Sequence, residues 1–151
     1  MKRFAWLTLI CVLGACSNGH NKDIEKMHEE LLNIKSIKDY HAVFIIPSQG
    51  CNSCISGAEA FLVSKHNELG PKKILFVITG HSSVKSVVVR FGNFILQNKA
   101  IFVDVDHRFD KPPFVGPYPK VLFLDDGHVS NVSELKPESS EDIYKKINRI
   151  L

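Results

Sequence analysis

The spacing of apolar and polar residues divides the chain into segments of different period. A basic start, Met1-Lys2-Arg3, leads into a largely apolar run from Phe4 to Leu13, FAWLTLICVL. This run has the length of a signal-peptide apolar region and about half of the roughly twenty residues a membrane-spanning helix needs. Residues 17–22, SNGHNK, are polar with a glycine and predict a tether. Ile24, Met27, Leu31 and Leu32 then recur at helical spacing among Asp, Glu and Lys, predicting a helix that ends near Lys38-Asp39. His41 to Ile46 is a β-branched apolar run that predicts a buried strand, broken by Pro47-Ser48-Gln49-Gly50.

After Cys51 the period becomes helical. Ile55, Ala58, Leu62 and Leu69 share a face, with Phe61 beside it, and Gly70-Pro71 predicts the stop. Ile74 to Thr79 predicts a second buried strand. Ser82 or Ser83 then caps a helix carrying Val84, Val87, Val88, Phe91 and Ile95. Ala100 to Val105 predicts a third strand and Val121 to Leu124 a fourth. Asp126-Gly127 turns the chain into a fifth near His128 to Val132. Ser139 with Asp142 approximates a capping box for a closing helix lined by Ile143, Ile147, Ile150 and Leu151. Alternating β and α elements, then a hairpin and a helix, imply an α/β fold: a central mixed β-sheet flanked by helices on both faces.

Composition sharpens the leader first. The apolar run ends in Leu13-Gly14-Ala15-Cys16, which resembles a bacterial lipoprotein lipobox: a Leu, two small residues, then a Cys whose thiol takes the lipid. The resemblance implies a signal peptide over residues 1–15 and lipid attachment at Cys16. Residues 16–22 would form the lipidated cysteine and tether, and residues 23–151 one domain. A lipid anchor gives membrane attachment without a spanning helix and places the protein in the cell envelope, most simply on the periplasmic side. The 136 residues after the leader suffice for one core and not for two. The formal charge is +3, but two of the 19 basic residues are Lys2 and Arg3, so 17 stand against 16 acidic residues. A nearly balanced domain argues against a nucleic-acid partner.

The leader also sorts the four cysteines. Cys11 leaves with it and Cys16 is lipidated, so Cys51 and Cys54 remain as one pair in an oxidising compartment. Cys51-Asn52-Ser53-Cys54 follows a strand and a turn and opens a helix. Residues three apart meet on one helical turn, and the helix N-terminus favours the thiolate of Cys51. Thiolate is the nucleophile of disulfide exchange; Cys54 is placed to resolve the mixed disulfide. A structural disulfide of this span closes almost no loop and restricts the unfolded chain little. A zinc site would need further ligands, and His41, His66, His81, His107 and His128 show no tight ligand spacing.

Downstream, Tyr118-Pro119-Lys120-Val121-Leu122-Phe123-Leu124-Asp125-Asp126-Gly127 puts a proline directly before a strand and its turn. With the strand–CxxC–helix upstream, residues 38 to 151 resemble the thioredoxin-like fold family. The lipobox and extra N-terminal helix resemble its membrane-anchored, TlpA-like or peroxiredoxin-related branch. The family's proline at this point is usually cis. The resemblance implies that Pro119 packs beside the cysteine pair and that the backbone at Tyr118 pairs with an extended substrate segment. It implies a thiol–disulfide oxidoreductase without a cofactor, acting on protein thiols or disulfides and recharged by a redox partner that the chain does not name.

The chain departs from the family at several positions. Gly50 stands where many members carry Trp, which opens the site. No proline lies within or just after the CxxC, and the first strand lacks a buried acid. Glu59, the nearest acid on the active helix, is expected to be solvated. Two other activities share the fold. A copper-binding assembly factor would add His81 or His107 to the pair, although Sco-type factors space their cysteines CxxxC. A peroxidase would use Ser48 three residues before Cys51. A non-catalytic envelope lipoprotein would carry the pair as an inert disulfide.

Overall fold

The computed structural model describes residues 18–69 and 73–151. Among them run α1 (Asn18–Leu32), a short 3-10 turn (Ile37–Asp39), β1 (Ala42–Pro47), α2 (Asn52–Lys65), β2 (Ile74–Thr79), α3 (Val84–Phe91), α4 (Phe94–Gln97), β3 (Ile101–Val103), β4 (Lys120–Asp125), β5 (His128–Glu134) and α5 (Ser140–Asn148). The strands form one mixed sheet in the order β3-β2-β1-β4-β5. β1, β2 and β3 are parallel; β4 is antiparallel to β1, and β5 to β4. The central position of β1 explains its sequence: AVFIIP is buried along its whole length. Continuous apolar runs mark strands covered on both faces.

Alternation along the strands sends side chains to two cores. Phe44, Ile46, Phe76 and Ile78 pack with Ile55, Ala58 and Leu62 of α2, Val87 and Phe91 of α3, Ile95 of α4 and Ile147 of α5. Val43, Ile45, Leu75, Val77, Leu122 and Leu124 pack on the other face with Met27 and Leu31 of α1, Ile37, and Phe109 and Phe114. The first core holds an aromatic group that joins the sheet to α2 and α5. Phe44 lies 5.2 Å from Phe76 in the sheet and 6.1 Å from Phe61 of α2, and Phe61 lies 4.8 Å from Tyr144 of α5. Each such pair adds about 1 kcal/mol beyond its buried area.

Several boundaries differ from the periodicity. α1 ends at Leu32, which is 51% exposed, and the 3-10 turn follows separately. α1 also begins at Asn18, so residues 18–22 are helix where the polar composition predicts tether. The helix expected through Ile95 is broken at Gly92, whose φ of 101° is a left-handed geometry that favours glycine, and α4 restarts at Phe94. Ser83 does cap α3, accepting from the Ser86 N–H at 3.2 Å. Ser139 instead donates to the Glu134 carbonyl and makes no capping bond on α5. α2 ends at Lys65; Gly70-Pro71 lies outside the described residues, as do the leader and Cys16. No helix among the described residues is long and apolar enough to cross a membrane.

The sixteen residues between β3 and β4 are the longest irregular segment described, and two anchors hold them. Asp104, 1% exposed, accepts from the Thr79 hydroxyl at 2.7 Å, the Arg108 N–H at 3.0 Å and the Phe109 N–H at 2.8 Å. Farther on, Lys120 Nζ donates to the Pro113 carbonyl at 2.7 Å. Between them Phe109 and Phe114 pack edge to face, 4.9 Å apart, under α1. The segment is thereby delivered, at Pro117, to the end of the sheet where β1 and β2 finish.

Candidate active site

β1 ends at Pro47, and four residues later Cys51 becomes the N-cap of α2 in an extended conformation, φ −66° and ψ 104°. Its carbonyl accepts the first helical hydrogen bond, from Ile55 N–H at 2.9 Å. The N–H groups of Asn52, Ser53 and Cys54 precede that bond, so the sulfur of Cys51 sits at the positive end of a fourteen-residue helix. Cys51 and Cys54 form a disulfide with their Cα atoms 5.3 Å apart. Both are partly exposed, and Asn52 and Ser53 are exposed between them. Ser53 Oγ lies 3.4 Å from Cys51 Sγ.

Gly50 accounts for the missing aromatic residue before the pair. Its φ is +139°, and a Cβ there would stand 2.6 Å from the Pro117 carbonyl oxygen. That same carbonyl accepts the Cys51 N–H at 2.6 Å. A side chain at position 50 therefore collides with the bond that ties the first cysteine to the loop. Gly50→Ala is expected to cost about 1–3 kcal/mol in denaturant unfolding and to raise the reactivity of reduced Cys51 toward a maleimide as the Pro117 contact opens.

The loop meets the first cysteine through the carbonyl of Pro117, two residues before Pro119. Pro119 is buried at the mouth of β4, and its carbonyl accepts from Leu135 N–H at 2.9 Å. The residue whose carbonyl meets Cys51 is Pro117. The cis peptide bond of the described chain is Pro112–Pro113, not the bond before Pro119. Tyr118 is partly exposed, with the Lys136 ammonium 5.9 Å from its ring centre. On the other side of the pair is a hollow of about 230 Å³, lined by Ser53, Cys54, Gly57, Lys136, Ser140 and Tyr144 among others. It opens beside the second cysteine rather than the first. Burial pushes the Tyr144 phenol up to about 12, so it is a neutral hydroxyl at physiological pH.

Three residues around the site behave otherwise than their types suggest. Glu59, expected in solvent, keeps only 14% of its side chain exposed and takes a two-pronged bond from Arg90, at 2.7 and 2.9 Å, that ties α2 to α3. That hydrogen bond raises the Arg90 guanidinium above its ordinary value. Ser48, the residue a peroxidase would use, donates its hydroxyl to the Gly80 carbonyl at 2.7 Å and joins the ends of β1 and β2. Asp104, expected inside a third strand running from Ala100 to Val105, instead lies just past the end of β3, where an Asp side chain can satisfy the N–H groups that follow.

The histidines are dispersed. His81 packs edge-on to Phe91, and burial, with Arg90 nearby, holds its imidazole below its ordinary value. His107 lies 3.3 Å from Asp110, His66 meets the Val63 carbonyl, and His128 stacks on His28. Among the described residues no three His, Cys, Asp or Glu side chains come together to hold a metal ion. Neither His81 nor His107 therefore completes a ligand set with the cysteine pair in this arrangement.

Fold and site together define a mixed α/β domain with a CxxC-spaced disulfide at the start of a helix, an arrangement compatible with redox chemistry. No protein-family model, no curated protein and no solved structure matches the chain.

Proposed function

We propose that this chain is a thioredoxin-like thiol–disulfide oxidoreductase, held in the cell envelope by a lipid on Cys16. One observation carries the reading: a partly exposed disulfide whose first cysteine is the N-cap of a long helix leaving the central strand. The five-stranded order, with the hairpin β4–β5 beside β1, is compatible with that fold. The LGAC motif after a basic and apolar leader supports the anchor.

The chemistry follows from the placement of the sulfurs. In the reduced protein, the Cys51 thiolate attacks one sulfur of a substrate disulfide. The substrate S–S bond breaks, its other sulfur leaves as a thiolate that takes a proton from water, and Cys51 is left in a mixed disulfide. Cys54, one helical turn away, loses its proton to water and attacks Cys51 Sγ. That step expels the second substrate thiol and forms the Cys51–Cys54 bond. Two electrons pass from the pair to the substrate; the reverse sequence oxidises a substrate dithiol. Envelope proteins carrying thiols or disulfides are the substrates, and a separate dithiol or disulfide partner resets the pair. The helix terminus stabilises the thiolate both as attacker and as leaving group.

The direct test follows reduction of a protein disulfide by dithiothreitol with catalytic amounts of the protein. The wild type is expected to accelerate the reaction, and Cys51→Ser to return it to the uncatalysed rate. Wild-type protein with no acceleration in either the reducing or the oxidising direction would refute the assignment.

A further inference from the structure

The two cysteines have different surroundings. Cys51 is tied to the loop, its N–H donating to the Pro117 carbonyl at 2.6 Å. Cys54 borders the hollow of about 230 Å³, and Cys51 does not. A space of that volume takes a molecule of amino-acid size. Gly57, three residues beyond Cys54 on α2, helps keep it open. Glycine inside a helix weakens it relative to alanine. Here neither backbone nor packing demands one: the φ is not left-handed, and a Cβ at position 57 would meet only the Tyr144 hydroxyl, at an ordinary 3.6 Å. The polar residues lining the hollow are Ser53, Lys136, Ser140 and Tyr144, and no acid lines it. Lys136 keeps 43% of its side chain exposed, and its partner Glu134, 3.4 Å away, borders the neighbouring groove instead. One cation and neutral hydroxyls suit a carboxylate.

The chemistry of the pair favours entry from this side. A disulfide opens faster when the departing sulfur is the more stable thiolate. Attack on Cys54 expels Cys51, the sulfur at the helix N-terminus, whereas attack on Cys51 expels Cys54. We propose that the hollow seats a small carboxylate-bearing thiol, which reduces the oxidised pair by attacking Cys54 rather than Cys51. The thiol gives its proton to water. Its sulfur bonds to Cys54 Sγ as the Cys51–Cys54 bond breaks, and Cys51 departs as a thiolate. A second thiol, also deprotonated, attacks the small-molecule sulfur of that adduct. Cys54 leaves as a thiolate that takes a proton from water, and the two small thiols depart joined as a disulfide. Two electrons pass to the pair, and Cys51 is left as the thiolate that attacks the next substrate. Two such thiols thus serve as the dithiol that resets the pair. The inference rests on the proposed exchange activity. It adds the class of reductant and its point of entry.

The test mixes the oxidised full-length protein in detergent with 3-mercaptopropionate, 2-mercaptoethanol or cysteamine, and quenches with acid during the first turnover. Each rate of disulfide opening is divided by that thiol's rate with a neutral model disulfide. Free thiols are alkylated with N-ethylmaleimide, and the peptide holding Cys51 and Cys54 is mapped by mass spectrometry. The mercaptopropionate adduct is expected on Cys54, with the maleimide on Cys51. Opening by mercaptopropionate is expected to exceed that by mercaptoethanol about threefold, the scale of one exposed ion pair, with cysteamine slowest. Lys136→Gln is expected to abolish the preference. Gly57→Leu fills the hollow from an exposed helical position. It is expected to slow all three thiols about tenfold, because the reacting sulfurs are kept from attack distance. Single-turnover reduction of a protein disulfide by the reduced variant, which begins at Cys51, should not change. An adduct on Cys51, or opening indifferent both to the charge of the thiol and to Gly57→Leu, overturns the inference. Activity in the dithiothreitol-driven assay would then leave the oxidoreductase assignment standing, and failure there would remove both.

Discussion

A Cys54→Ser variant exposed to envelope proteins is expected to accumulate as mixed disulfides through Cys51, visible as dithiothreitol-sensitive adducts on a non-reducing gel. Cys51 keeps its place at the N-cap of α2 and its N–H bond to Pro117, so the attacking step survives. The resolving step is lost because serine has no competent nucleophile for a disulfide sulfur. The adduct then waits for an external thiol, and uncatalysed disulfide rearrangement takes minutes to hours. Cys51→Ser should form no such adducts, and the double variant none at all. The hollow beside Cys54 makes the comparison informative. If Cys51→Ser trapped partners and Cys54→Ser did not, the roles of the two cysteines would be exchanged. If neither did, the pair would be an inert disulfide.

Asp104→Ala is expected to destabilise the domain by about 3 kcal/mol or more, because it leaves the Thr79 hydroxyl and two loop N–H groups buried without their acceptor. In thermal unfolding that is a loss of about 10 °C. Asp104→Asn retains one acceptor oxygen and should fall between Ala and the wild type. Thr79→Val, which removes a donor and leaves an apolar group of similar shape, should cost only about 1 kcal/mol. The loop that Asp104 starts is also the loop that brings Pro117 to Cys51. The Ala variant should therefore label faster at reduced Cys51 under native conditions, whereas Thr79→Val should not. A loss of stability with unchanged Cys51 reactivity would separate the loop anchor from the site.

The parts of the fold that were legible in the chain are those written as local patterns. HAVFII, ILFVIT and VLFL announce strands because a strand buried on both faces has no polar alternation to confuse it, and Asp126-Gly127 marks the hairpin between β4 and β5. The CxxC placed its own chemistry because the residues that matter, the two cysteines and the helix end, are contiguous. What escaped were contacts between segments distant in sequence. Glu59 reads as a surface acid on α2, and only the approach of α3 gives it Arg90. The proline before β4 invites attention, but the carbonyl that meets Cys51 is that of Pro117, and nothing in the spacing of Pro117 and Pro119 tells them apart. Asn21 and Lys22 are exposed on α1, and a helical turn without apolar residues leaves no period to read. The break at Gly92 was visible as a glycine; the apolar positions on either side of it happened to keep one helical phase.

The central claim is that the Cys51–Cys54 bond is a working redox couple rather than a staple, and its reduction potential tests that most directly. The pair should be equilibrated against graded thiol–disulfide buffers and the reduced fraction counted by thiol alkylation. A thiolate held at a helix N-terminus and a partly exposed disulfide predict a reversible two-electron transition between about −120 and −270 mV, the span of catalytic dithiols. A pair that stays oxidised below about −300 mV, in the range of structural disulfides, would contradict the account.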